Sequence, residues 1–247
     1  MQLSVVVITF NEERNIGRCL ASVAGIADEI IVVDSASTDN TKTIAENYGA
    51  KVIQRAFTGY SDQKNFATAQ ASHDWILSLD ADEEVTETLK LSLQQVKTAP
   101  ACKVYEMPRL TNYCGKWIRH CGWYPDHQTR LYDRTAGAWV AKQVHEFWQP
   151  ADTGTKKGVL KGDLLHYSFS SVSEHLKKIE KYSELAARDA VAKGKKVSLL
   201  KVWLSPKWHF FTEYFIKLGF LDGYTGYVIC KLSAYQAFVK YSKIRMY

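Results

Sequence analysis

Four carboxylates, Asp80, Asp82, Glu83 and Glu84, crowd the stretch SLDADEEV at residues 78–85, directly behind the apolar run Trp75, Ile76, Leu77 and Leu79. Acidic residues favour the first turn of a helix, and residues 86–96 read as one, so a solvated helix start accounts for Glu83 and Glu84. Asp80 differs, because the apolar residues before it predict the end of a buried strand. On a strand running on through this stretch, Asp80 and Asp82 would face one side, since side chains alternate with a period of two. Neighbouring carboxylates repel each other unless a cation lies between them, and hard Mg²⁺ or Mn²⁺ suits oxygen ligands. An acidic turn without metal is the competing reading. An EF-hand is excluded, because Val85 stands where its loop needs Gly and Leu91 where it needs Glu.

A second carboxylate at a strand end is Asp34, which closes the apolar residues 30–33. There it can accept hydrogen bonds from a base N–H or from ribose hydroxyls. Ser37, Thr38 and Thr41 after it read as helix-capping residues. No Gly-rich loop follows any predicted strand, which excludes a dinucleotide fingerprint and a phosphate-binding P-loop. His145 in QVHEFW and His166 in LLHYSF each have a plain core or surface reading, and composition assigns neither.

These residues need elements to position them. Apolar β-branched runs predict strands at residues 3–10, 30–33, 51–54 and 75–79. Helical spacing covers residues 12–23, a turn at residues 35–38 leads into another helix, and residues 65–71 form a third. Strands separated by helices imply an α/β fold with a mostly parallel sheet and a ligand at the carboxyl ends of its strands. TFNEERN, DSASTDNT and DADEE all fall at such ends. From residue 102 to 140 the texture changes to short aromatic and basic strands with Gly and Pro turns, read as hairpins covering a site. An amphipathic helix is predicted over residues 173–191, opening at the capping box SVSE.

The 247 residues, 46% hydrophobic and 13% aromatic, suffice for one catalytic domain with an appendage. No signal-peptide pattern precedes the first apolar run, and five well-separated cysteines argue against a disulfide framework, so a cytoplasmic setting is expected. Cys114, His120, Cys121 and His127 match no zinc-site spacing. The formal charge of +6 is uneven, because residues 175–247 hold fourteen Lys/Arg against five Asp/Glu. Charged residues interrupt every apolar run in that tail, well short of the ~18 residues of a membrane span. Aromatics mixed with Lys suit helices lying on an anionic membrane surface, and equally a helical appendage packed on the domain. No RNP, zinc-finger or helix-turn-helix pattern is present, so no nucleic-acid partner is expected.

Taken together, SVVVITFNEERNIGRCLASV, IIVVDSASTDNT and WILSLDADEEV resemble the GT-A domain of glycosyltransferase family 2 and its DXD motif. GWYPDHQTRLYDR, VHE and LLHYSF extend the likeness to lipopolysaccharide and lipooligosaccharide core β-1,4-glucosyltransferases, over essentially the whole chain. The resemblance implies a GT-A catalytic domain at residues 1–170, with a donor nucleotide-binding half at 1–100 and an acceptor half at 101–170. Residues 171–247 would be a helical, membrane-associating appendage at the cytoplasmic face of the inner membrane. The activity implied is inverting, metal-dependent hexosyl transfer, glucose from UDP-glucose, to a lipid-linked or core oligosaccharide acceptor. A polyprenyl-phosphate sugar synthase, or a transferase building another cell-surface polysaccharide, shares the same donor domain and stays as the alternative.

Carried over residue by residue, the resemblance implies that Thr9, Asn11 and Glu12 line the uridine pocket and that Asp34 contacts the nucleoside. Asp80 would face the ribose and the metal, Ala81 would line the nucleotide-sugar site, and Lys64 would meet the diphosphate. Asp82 would ligate Mg²⁺ or Mn²⁺, with His166 as a further ligand and His145 as its rival. The acceptor's base is Glu146, in HE where the family usually has an acidic pair; Asp126 of WYPD is the rival base.

Overall fold

The computed structural model describes residues 1–142 and 145–247, and the side chains of all of these except Lys142 and His145. The elements follow in the order β1 Leu3–Thr9, α1 Ile16–Val23, β2 Glu29–Asp34, α2 Thr41–Asn47, β3 Lys51–Gln54, α3 Tyr60–Ala69, β4 Trp75–Asp80, β5 Glu83–Val85 and α4 Glu87–Thr98. Then come β6 Val104–Tyr113, β7 Lys116–Ile118, β8 Asp126–Asp133, β9 Gly137–Lys142, β10 His145–Pro150, β11 Lys157–Val159 and β12 Leu164–Phe169. Helices α5 Val172–Ala192, α6 Leu199–Phe211 and α7 Gly223–Met246 close the chain.

Two compact units result, one of Met1–Arg109 with Asp126–Tyr167, the other of Leu110–Pro125 with Ser168–Tyr247. In the first, β3, β2, β1 and β4 lie side by side in parallel, and β8 adds to β4 antiparallel. Strand β1 is buried along its whole length, as expected of a central parallel strand covered on both faces. Its side chains alternate between two cores. Val5 and Val7 join Leu20, Val23, Leu89 and Leu93 of α1 and α4, whereas Val6 and Ile8 join Ala67, Tyr132, Trp139 and Trp148. Helices therefore cover one face, and α3 with the β9–β10 ribbon the other.

Helix α1 buries Ile16, Cys19, Leu20 and Val23, the predicted stripe, but begins at Ile16 and not at residue 12. Residues 12–15 form a turn that Ile16 closes through its N–H onto the Glu12 carbonyl, at 2.9 Å. Helix α3 begins at Tyr60, five residues before the expected start. Its first turns bury Ser61, Gln63 and Lys64. Polar residues on the inward face erase the apolar period that sequence reading depends on.

The acidic stretch departs from expectation at Glu83 and Glu84. They belong to β5, which pairs antiparallel with β12 through Leu164–Val85 and His166–Glu83. The helix after them starts one residue later than predicted, with Thr86 as N-cap accepting from the Leu89 N–H at 3.3 Å. Gly162 lets the chain pass that helix end: its φ is +95°, and a Cβ there would lie 2.3 Å from the Leu89 nitrogen.

The second unit packs Ile118 and Cys121 against Ile229 and Cys230 of α7, with Tyr113 in the same cluster. A second cluster joins Ala187 and Ala190 of α5 to Val197, Val202 and Ile244. The predicted capping box is present at α5: Ser171 Oγ accepts from the Glu174 N–H at 3.2 Å, and the Glu174 carboxylate accepts from the Ser170 N–H at 2.8 Å.

Candidate active site

Every polar side chain singled out in the first unit follows a strand or faces one. After β1 the backbone of Asn11 takes a left-handed conformation, φ 53°. That turn lets Asn11 donate its N–H to Ser37 Oγ at 2.8 Å and accept from the Thr38 N–H at 2.8 Å, tying the β1 and β2 loops together. Glu12 donates its N–H to Thr41 Oγ1 at 2.8 Å and accepts from Asn15 at 2.7 Å. The Thr9 hydroxyl is buried and has no hydrogen-bond partner among the described residues. Asp34 is fully buried and accepts from both the Ser37 hydroxyl and, at 3.0 Å, the Ser37 N–H. Ser37 is thus the residue that Asp34 turns the loop with, which fixes the loop between β2 and α2.

Beyond β4 the chain does not run on as a strand. Ala81, buried, and Asp82 make a turn, so Asp80 and Asp82 enter different neighbourhoods. Asp82 meets His166 of β12, with Oδ2 and Nε2 3.3 Å apart. The β5–β12 register explains this contact, since His166 lies opposite Glu83, the residue after Asp82. His166 Nδ1 is buried without a partner.

Asp80 joins a chain of alternating charges. Lys64, fully buried on α3, lies 3.0 Å from Asp80 Oδ1 and 3.2 Å from Glu146 Oε1, with the Trp139 ring 4.5 Å from its Nζ. Arg130 donates to Asp80 Oδ2 at 2.7 Å and to both oxygens of Glu83 at 3.0 and 2.7 Å. Arg109 stands 3.6 Å from Glu83 and donates twice to Asp126, at 3.0 and 2.6 Å, while Gln128 donates to its other oxygen at 2.7 Å. Glu146, Lys64, Asp80, Arg130, Glu83, Arg109 and Asp126 therefore form one connected row, with a candidate base at each end. Burial opposes the charge on Asp80, yet the Lys64 and Arg130 cations outweigh it and hold its carboxyl well below the usual carboxylate range.

Sequence reading missed Arg130 and Glu83 as site residues and assigned Glu83 to a solvated helix start. The available signal was weak: an Arg on a predicted strand, about fifty positions from the acidic stretch that it serves. The rival ligand His145 has its side chain outside the described residues.

A divalent ion can be tested against the donor set. Among the described residues no group of three or more His, Cys, Asp and Glu side chains converges on a common point. Asp82 and His166 do form a pair of candidate donors, with Nε2 of the imidazole toward the carboxylate. Two protein donors suit an ion that takes its remaining oxygens from substrate phosphates. Asp80 is not brought to that pair.

The sequence and the fold are similar to those of known proteins. The family model for glycosyl transferase family 2 fits residues 4–145. An uncharacterized glycosyltransferase of Rickettsia prowazekii is 32% identical over 253 residues, covering 99% of this chain and 87% of the relative. The lipopolysaccharide core biosynthesis glycosyltransferase LpsC of Rhizobium meliloti is 30% identical over 259 residues, covering 99% and 92%. Among solved structures, Staphylococcus aureus TarS 1-349 in complex with UDP-GlcNAc superposes with a TM-score of 0.51 at 18% identity, over 99% of this chain and 90% of that one. That likeness supports the GT-A-like fold: a mostly parallel mixed sheet, flanking helices and helices at the C-terminus. With a family model spanning more than half of its length and a relative 32% identical over 99% of the chain, the chain belongs to glycosyltransferase family 2, as an enzyme of that family.

Proposed function

We propose that this glycosyltransferase transfers a hexose with inversion, glucose from UDP-glucose, to a hydroxyl of a lipopolysaccharide core sugar. The likeness to LpsC along nearly the whole chain supports the acceptor class. The observation that carries the chemistry is the Glu146–Lys64–Asp80 contact, where a candidate base, a cation for a phosphate and the carboxylate after β4 meet.

In this reading Thr9, Asn11 and Glu12 bind uridine with Asp34 behind them, Asp80 faces the ribose and Ala81 lines the nucleotide-sugar site. Lys64 turns from the carboxylates to the donor's diphosphate, for which a mobile ammonium is suited. Glu146 accepts the proton of the acceptor hydroxyl as its oxygen attacks the anomeric carbon. The bond from that carbon to the diphosphate breaks on the opposite face, and UDP leaves with the electron pair. Asp82 and His166 are the residues that would hold Mg²⁺ or Mn²⁺ with the phosphate oxygens, and the ion would supply positive charge where the leaving group becomes negative. Asp126 is the weaker choice of base, because Arg109 and Gln128 occupy both of its oxygens. A lipid-linked acceptor calls for action at the cytoplasmic face of the inner membrane; among the described residues no helix is long and apolar enough to cross a membrane.

The test is a panel of UDP- and GDP-sugars offered with Mn²⁺, Mg²⁺ or a chelator, with and without core oligosaccharide. Transfer from one UDP-hexose is expected, dependent on metal and lost in Asp82→Asn. Glu146→Gln should keep UDP binding and lower transfer by about a hundredfold or more, the scale of a lost general base. Full transfer by Glu146→Gln would move the role to Asp126, and a product extracted with polyprenyl phosphate alone would favour the synthase alternative.

A further inference from the structure

We infer that the outward face of α6, continued through residues 212–216, is a docking surface for an anionic lipid bilayer. Leu200, Leu204, Trp208, Phe211 and Phe215 recur at steps of four, four, three and four, the spacing of one helix face. In an ordinary surface helix that stripe would be buried. Here all five are exposed, and Val202 is the buried residue of α6. Trp203 at 69% and Trp208 at 63% exposure stand out most among the helix's aromatics. The stripe is continuous, with Trp208 stacked on Phe211 at 5.8 Å between ring centroids and Phe211 meeting Phe215 at 5.4 Å with the rings tilted by 42°. Beside it, Val202, Trp203 and Pro206 face Ala234, Tyr235 and Phe238 of α7 across a cavity of about 240 Å³ with room for part of an acyl chain.

Charge decides what covers this face. The segment that carries it, residues 199–217, holds Lys201, Lys207 and Lys217 against one carboxylate, Glu213. Glu213 is itself partly buried, and that burial raises its pKa. Lys207 sits 5.1 Å over the Trp203 ring, so cation and aromatic are presented together. A second copy of the chain would bring the same lysines face to face, because a two-fold contact apposes identical patches. An interface between anionic headgroups and acyl chains accepts both features, with Trp at the boundary and Lys among the phosphates. The surface bears only on the membrane part of the proposed function; lipid binding and sugar transfer are read separately, so either can fail alone.

The full chain is mixed with vesicles of phosphatidylglycerol and phosphatidylcholine, or of phosphatidylcholine alone, and sedimented at low and high salt. Binding to the anionic vesicles is expected, weakened at high salt, and at least tenfold weaker in the double variant W203S/W208S with an unchanged circular dichroism spectrum. The triple variant K201Q/K207Q/K217Q should lose the preference for phosphatidylglycerol. No vesicle binding by the native chain, or full binding by W203S/W208S, overturns the assignment. A concentration-dependent dimer of the native chain, broken by W203S/W208S without vesicle binding, overturns it in favour of an interface between copies. Donor binding, titrated on the same proteins with UDP and Mn²⁺, tests the catalytic reading without touching this one.

Discussion

Removing the Arg130 guanidinium while Glu83 stays in place strands a carboxylate that water does not reach. Arg109, 3.6 Å away, is the cation left to it. Breaking a buried pair from one side costs about 3–5 kcal/mol, since the remaining charge is uncompensated. Arg130→Met is therefore expected to lower stability by that order in urea denaturation, and Glu83→Gln added to it should restore at least half. Additive losses in the double variant would show that the two side chains act independently. At this scale the strand-end acids Asp34 and Asp80 were legible, because each closes an apolar run, whereas the turn that parts Asp82 from Asp80 was not. Their partners were not: the Lys64–Glu146 contact joins residues 82 positions apart, and no local pattern marks it.

At the scale of elements, α5 meets the second unit's strand residues through a histidine. His175 is buried, 3.1 Å from the Tyr113 hydroxyl, and packed against Trp123 and Phe169. Burial, with the Lys178 charge adding to it, pushes its pKa down to about 4. The unfolded chain, with an ordinary value of about 6.5, takes up the proton first. Its contribution to stability is therefore full above about pH 6.5 and declines as the pH falls toward the folded value. The slope is about 1.4 kcal/mol per pH unit, roughly 3 kcal/mol in all. Urea midpoints at pH 7, 5.5 and 4.5 should show that decline, and His175→Gln should flatten it; an equal decline in both proteins would remove His175 from the account. The helix itself was legible from its capping box and stripe. The start of α3 was hidden because its inward face is polar, and β5 because three residues are too few to show a period.

At the scale of the whole molecule, the alternation of strands and helices in the first hundred residues was enough to give the fold class. The grouping of Leu110–Pro125 with the C-terminal helices was not visible, because it rests on Ile118 and Cys121 meeting Ile229 and Cys230 more than a hundred residues away. The charge imbalance of the chain was legible as composition, but composition does not say which side of a helix it lies on. Only the outward turn of Leu200, Leu204 and Trp208 gives the basic tail a direction.

The row of alternating charges has a consequence for the sequence of events in turnover. Before a donor arrives, Glu146 shares Lys64 with Asp80. In the proposed mechanism the diphosphate takes Lys64 and frees Glu146 for the acceptor, so an acceptor that binds first would find that carboxylate still paired with Lys64. The proposed roles therefore predict compulsory order, donor before acceptor and UDP last to leave. Steady-state kinetics should show UDP competing with the donor and not with the acceptor, and Lys64→Met should loosen that order as well as slow the transfer. Random addition in the native enzyme would mean that Glu146 is available from the outset.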